Sequence, residues 1–197
     1  MGTLYKEIYN TLYDIVENRN ELHAIIVMIM KYIYKTDIVQ DITTNREYNL
    51  EYQNSIIWAI DISHQAIELA KKNSQYHNVN VNFLCEDMFN MHLYENIKFD
   101  VIISNPPYIL KTDINTVSPR VKNYEPHLAL FVDDFVPFYE AIAKIGNKYL
   151  NKDGYIFVEI NEKFGNEIYN IFSNLSYKVN VYKDFYNKDR WIMAQKL

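Results

Sequence analysis

From Ser55 onward the apolar positions alternate between two spacings. Strand-length runs occur at Ser55–Asp61, Val81–Cys85, Phe99–Ser104, Tyr155–Ile160, Tyr177–Tyr182 and Trp191–Gln195. Between them lie stretches with apolar residues three and four apart, the repeat of a helix with one buried face. One such helix is capped by Ser63, carries Ala66, Ile67 and Ala70, and has Lys71 and Lys72 in its last turn. A second is expected over Phe135–Leu150, with Pro137 in the first turn where its missing N–H costs nothing. A third is expected over Glu162–Phe172 despite Gly165, and Asn151-Lys152-Asp153-Gly154 reads as a turn. Strands and helices in alternation imply a mostly parallel sheet covered on both faces.

The N-terminal stretch has a different pattern. Leu4, Ile8, Leu12 and Ile15 fall on one helical stripe, and Leu22, Ile25, Ile26, Ile29 and Ile33 on a broader one, with Asn20 a cap between them. The chain therefore divides into a helical hairpin over 1–36, a junction over 37–54 and an α/β domain over 55–197.

Candidate chemistry concentrates where one strand stops. The run Phe99-Asp100-Val101-Ile102-Ile103-Ser104 ends at Asn105-Pro106-Pro107-Tyr108. Neither proline can donate to a sheet ladder, and Pro106 forces Asn105 into an extended conformation. This makes a stiff corner at the carboxyl end of a strand, where open α/β sheets hold ligands. An amide nitrogen is a poor nucleophile because its lone pair is delocalised. If the Asn105 carbonyl and a proline carbonyl accept its two hydrogens, the nitrogen can pyramidalise toward an electrophile, and the positive charge that develops is stabilised. Tyr108 would cover the flat group and exclude water. Pro and Asn are also ordinary loop residues, so the corner needs structural context.

The strand followed by Asn105-Pro106-Pro107-Tyr108 resembles the signature of S-adenosylmethionine-dependent amino-methyltransferases. A second block, Tyr124-Glu125-Pro126-His127-Leu128-Ala129-Leu130-Phe131, resembles the HemK/PrmC family of release factor glutamine methyltransferases. The stretch Gly154–Ile160 and the closing Lys183-Asp184 and Lys188-Asp189-Arg190 fit the same family. The resemblance implies a Rossmann-like class I methyltransferase sheet with S-adenosylmethionine as methyl donor. It implies a class I peptide chain release factor as partner, methylated on the glutamine of its GGQ tip. It assigns Asn105, Pro106, Pro107 and Tyr108 to the substrate amide, with Asn105 catalytic, and Asp61 and Asp87 to the ribose and adenine of the donor. For Asp61, local capping of the strand-to-helix turn is the plainer alternative. An acidic pair after a strand, as at Glu86-Asp87, is most often simply solvated. The N-terminal hairpin resembles the start of a small helical domain expected to grip the release factor, and a core-covering role is its alternative.

One feature departs from that family. Its first strand should run into a glycine-rich loop that lets backbone approach the donor. The four glycines here are at positions 2, 146, 154 and 165, and none lies between Thr3 and Ile145. Either an internal segment has been lost near Glu51–Asn54, or Asp37–Asn45 is a decayed strand and loop. The first is favoured, because Lys35–Val39 continues the helical-domain resemblance. The central first strand is then missing or replaced, and Thr36–Ile42 is the segment expected to slide into its slot. A competing function follows: an impaired or catalytically dead relative that binds its partner and no longer holds the donor.

Composition narrows the alternatives. Twenty basic against 25 acidic residues give a net charge of −5, and no basic run exceeds Lys71-Lys72. This argues against a DNA or RNA methyltransferase, which needs a positive groove. No apolar run reaches membrane-spanning length, Met1–Asn10 lacks the features of a signal peptide, and a single cysteine suits a reducing compartment. A cytoplasmic monomer without membrane contact is expected. The five histidines share no metal-ligand spacing with each other or with Cys85, which reads as a small buried thiol. His127 reads as a loop-packing residue.

Overall fold

The computed structural model describes residues 23–26, 56–76, 78–93, 97–124 and 126–197. Its centre is a sheet of seven strands: β1 (His23–Ile26), β2 (Ile56–Asp61), β3 (Val81–Cys85), β4 (Phe99–Ser104), β7 (Leu150–Glu159), β8 (Tyr177–Lys183) and β9 (Asp189–Lys196). The spatial order is β3-β2-β1-β4-β7-β9-β8. β3, β2, β1, β4 and β7 are mutually parallel, and β9 runs against both β7 and β8. A separate two-stranded parallel ribbon joins β5 (Ile109–Leu110) to β6 (Phe131–Val132). Among the described residues the helices are α1 (His64–Tyr76), α2 (Pro119–Tyr124), α3 (Val136–Tyr149) and α4 (Gly165–Asn174). Among the described residues no helix is long and apolar enough to cross a membrane.

Local sequence explains most of these elements. Ser63 starts α1 as expected: its Oγ accepts from the Ala66 amide at 3.2 Å and its carbonyl from Ile67 at 3.0 Å. Pro137 sits in the first turn of α3. The last carbonyls of α3 are satisfied by Lys196, whose Nζ donates to Asn147 O at 2.8 Å and Leu150 O at 2.9 Å. Tyr139, Ile142, Ala143 and Tyr149 of α3 and Ile168 and Phe172 of α4 pack into one core with Ile102, Ile156 and Ile192 of the sheet.

Three expectations are corrected. The slot between β2 and β4 is filled by His23–Ile26: Ile26 pairs with Ala59 on one side and with Ile103 on the other. Thr36–Ile42, expected in that slot, lies outside the described residues, as does the rest of the N-terminal hairpin. Residues 23–26 themselves are strand, where the apolar spacing had predicted helix. A short apolar run cannot be told from a buried helix turn by periodicity. Two bare strand edges offer such a run hydrogen bonds on both sides, which local helix propensity does not match. The second correction concerns Asn151–Gly154, which is an irregular start to β7 rather than a separate turn. The pairing jumps from Phe99↔Leu150 to Val101↔Tyr155, with Asp153 at φ 63°. The third concerns Cys85, which is exposed because β3 is an edge strand.

Candidate active site

The chain runs from β2 outward to β3 and then crosses behind β1 to β4, so the strand order reverses between β1 and β4. In open α/β sheets the crevice above such a reversal, at the carboxyl ends of the strands, is where ligands bind. The predicted site residues lie around it. From the register, Ala59, Ile26 and Ile103 are level, so Asp61 and Asn105 are also level. They stand two strands apart, roughly 10 Å at the usual strand spacing. Glu159 is level with Asn105 on the next strand, since Ser104 pairs with Val158. Cys85 pairs with Asp61, which places Asp87 just past the same edge.

The corner after β4 is firmly packed. Pro106 and Pro107 are buried and Tyr108 is only 8% exposed. The Tyr108 hydroxyl donates to Glu159 Oε1 at 2.5 Å. Burial first, and then the Glu159 charge and its hydrogen bond, hold the Tyr108 phenol well above its ordinary range, so it is a neutral donor. Tyr139, fully buried, donates to the Glu159 backbone carbonyl at 2.8 Å. Asn105 Oδ1 is buried and has no hydrogen-bond partner among the described residues; Ser104 Oγ is in the same condition. A buried carbonyl oxygen left unpaired costs about 1–3 kcal/mol, so its position asks for an N–H donor.

Asp61 is buried at the end of β2, and its Oδ1 accepts the Ser63 amide at 2.7 Å. The local turn role and a place at the crevice thus coexist in one residue. The Glu86 amide donates to Asp61 O at 3.1 Å, tying the ends of β2 and β3 together. Asp87, half-buried, caps the short turn Met88–Asn90 by accepting from the Phe89 amide at 3.0 Å. The second sequence block meets the corner through the β5–β6 ribbon, where the Ile109 amide donates to Leu130 O at 3.2 Å. His127 packs edge-on against Phe131 and lies 2.9 Å from Lys122 O through Nε2, a loop-packing role.

Sequence reasoning gave no role to Glu159. The available signal was an acid closing a strand, as at Asp61. Among the described residues no cluster of histidine, cysteine or carboxylate could hold a metal.

A methyltransferase domain model matches residues 38–185. The release factor glutamine methyltransferase of Bacteroides thetaiotaomicron is 36% identical over 141 residues, covering 70% of this chain and 51% of that protein. That of Fusobacterium nucleatum is 37% identical over 149 residues, covering 74% of this chain and 42% of that protein. The chain thus spans about half the length of these curated relatives. A solved methyltransferase from Pyrococcus furiosus superposes with a TM-score of 0.56 at 17% identity, over 95% of this chain and 81% of that one. That likeness concerns the fold alone.

Proposed function

Because this chain belongs to the methyltransferase-domain family, we propose that it transfers a methyl group from S-adenosylmethionine to the side-chain amide of a glutamine. The acceptor in this reading is the glutamine of the GGQ tip of a class I peptide release factor. The observation that carries it is the buried Oδ1 of Asn105, without a partner among the described residues, at the strand-order reversal beside the pinned ring of Tyr108.

The donor suits the residues on the other side of the crevice. A buried carboxylate at the end of β2 fits a ribose, and Asp87 past the end of β3 fits the adenine side. When bound, S-adenosylmethionine supplies an electrophilic methyl group. The chain's own residues act on the amide. Asn105 Oδ1 accepts an N–H of the glutamine side chain, orients the nitrogen and stabilises the positive charge that develops on it. Tyr108 stacks on the planar amide, and Pro106 and Pro107 keep water from the corner. No nucleophilic side chain is required: as the nitrogen takes the methyl group the carbon–sulfur bond would break with its electron pair on sulfur, and the cationic N-methyl amide is acidic enough to lose its extra proton to solvent without a strong base.

A second reading is a binding-only relative, and one observation favours it: no glycine lies between Thr3 and Ile145 to admit the donor closely. Calorimetric titration with S-adenosylmethionine separates the two. One-to-one binding, followed by methylation of a release factor glutamine seen by mass spectrometry, supports the enzyme. A folded chain that binds release factor and takes up no donor supports the second reading.

A further inference from the structure

Two side-chain pairs, Tyr108–Glu159 and Arg190–Asp184, stand on neighbouring strands at the edge of the corner. β9 runs antiparallel to β7, so the turn between β8 and β9 lies at the carboxyl edge, beside the end of β7. Glu159 pairs with Trp191, and the Ile160 amide donates to Arg190 O at 2.9 Å. In that turn Asp184 acts twice. Its Oδ1 accepts the amides of Tyr186 at 2.9 Å and Lys188 at 3.1 Å, which closes the turn. Its Oδ2 accepts Arg190 Nε at 3.2 Å and Nη2 at 3.0 Å, which fixes the guanidinium. The Arg190 charge in turn acts on both Tyr108 and Glu159.

The geometry points to Asp184, Arg190 and Glu159 as positioning residues that together lock the Tyr108 ring, making the β8–β9 turn a structural part of the amide corner. The ring's surroundings and charges explain the arrangement. A tyrosine ring turns about two side-chain bonds, and a hydroxyl anchored at its far end removes that freedom. Its anchor is a carboxylate, and a positive charge beside it helps to hold such a group in place. Arg190 supplies that charge, and the fork onto Asp184 Oδ2 keeps it there. The closing Asp184 and Arg190, which sequence reading matched to the family without a role, thereby acquire one. The inference rests on the proposed function for what the ring covers, whereas the lock itself is a property of this chain alone.

The test is 19F NMR of the full chain carrying 3-fluorotyrosine at position 108. The expected result is one narrow resonance in the parent. Arg190→Ala and Asp184→Asn, both at partly buried positions in the turn, broaden or split it while far-UV circular dichroism stays unchanged. Arg190→Lys fails to restore it, because an ammonium cannot make the fork. Lys163→Ala, which breaks only the exposed pair with Asp113, leaves it untouched. A resonance unchanged in both Arg190→Ala and Asp184→Asn overturns the lock. In methyl transfer, the same two variants lower kcat on the order of 10- to 100-fold, the effect of a misplaced acceptor, with donor KM unchanged. A parent that transfers no methyl while its variants lose the narrow resonance overturns the proposed function and upholds the lock.

Discussion

On one side of the strand-order reversal, β4, β7, β9 and β8 enclose a dense aromatic core: Phe99, Phe157, Phe172, Tyr139, Tyr149 and Trp191 are all fully buried. On the other side, β3 has no buried residue and α1 has one, Ile67. The candidate site straddles these halves. Its acceptor side, Asn105 to Tyr108, stands on the dense half and is braced by Glu159, whereas Asp61 and Asp87 stand on the sparse one. Local stability follows buried apolar contact, so opening the backbone of the acceptor side should cost more than opening the donor side.

Core truncation tests the contrast most severely. Phe172→Ala in the dense half removes a fully buried ring and should cost about 3–5 kcal/mol. Phe83→Ala on β3, half-buried at the sheet edge, should cost about 1–2 kcal/mol. Urea unfolding of both variants measures the difference, and equal losses would erase the distinction between the halves.

Asn105→Ala separates function from stability within the dense half. Removing the unpartnered carbonyl oxygen relieves a buried polar group, so the unfolding midpoint should hold or rise slightly. Methyl transfer should fall on the order of 10²–10³-fold, the usual effect of losing a transition-state hydrogen bond. A large loss of stability would instead make Asn105 a structural residue.

High pH should also act on the dense half. Tyr108, Tyr139 and Tyr177 are all held above their ordinary values, chiefly by burial, with Glu159 adding to the first two. A raised tyrosine keeps its proton in the folded chain while the unfolded chain loses it, so stability is full below about pH 10 and declines as pH rises above it. Each of the three contributes up to about 1.4 kcal/mol per pH unit. Tyr108→Phe should flatten the decline by about one-third, read from melting curves between pH 9 and 11.

How much of this was legible depended on whether a residue's role was local. Ser63, Pro137 and the strand ending at Ser104 announce themselves within a few residues, and all three stand where the pattern put them. His23–Ile26 could not be read the same way. Its strand state comes from two neighbours, β2 and β4, that lie 30 or more positions away in the chain, and its own spacing suits a helix equally well. Glu159 was hidden for a related reason, since its role depends on Tyr108, 51 residues away. The depth of Cys85 depended on β3 being an edge, which is a property of the whole sheet.

The smallest expected effect lies in the sparse half and probes how Asp61 is held. Ser63→Ala removes the Oγ that caps α1 and should cost about 1 kcal/mol, typical of a lost cap. It leaves the Ser63 amide, and therefore its hydrogen bond to Asp61 Oδ1, in place. If backbone geometry orients that carboxylate, Ser63→Ala weakens donor binding no more than its small effect on the turn. If the cap itself sets the turn, donor affinity falls together with stability. Calorimetry and thermal melting on the same sample distinguish the two. Affinity that falls well beyond the stability loss would mean that α1, sparse as it is, sets the donor side of the crevice.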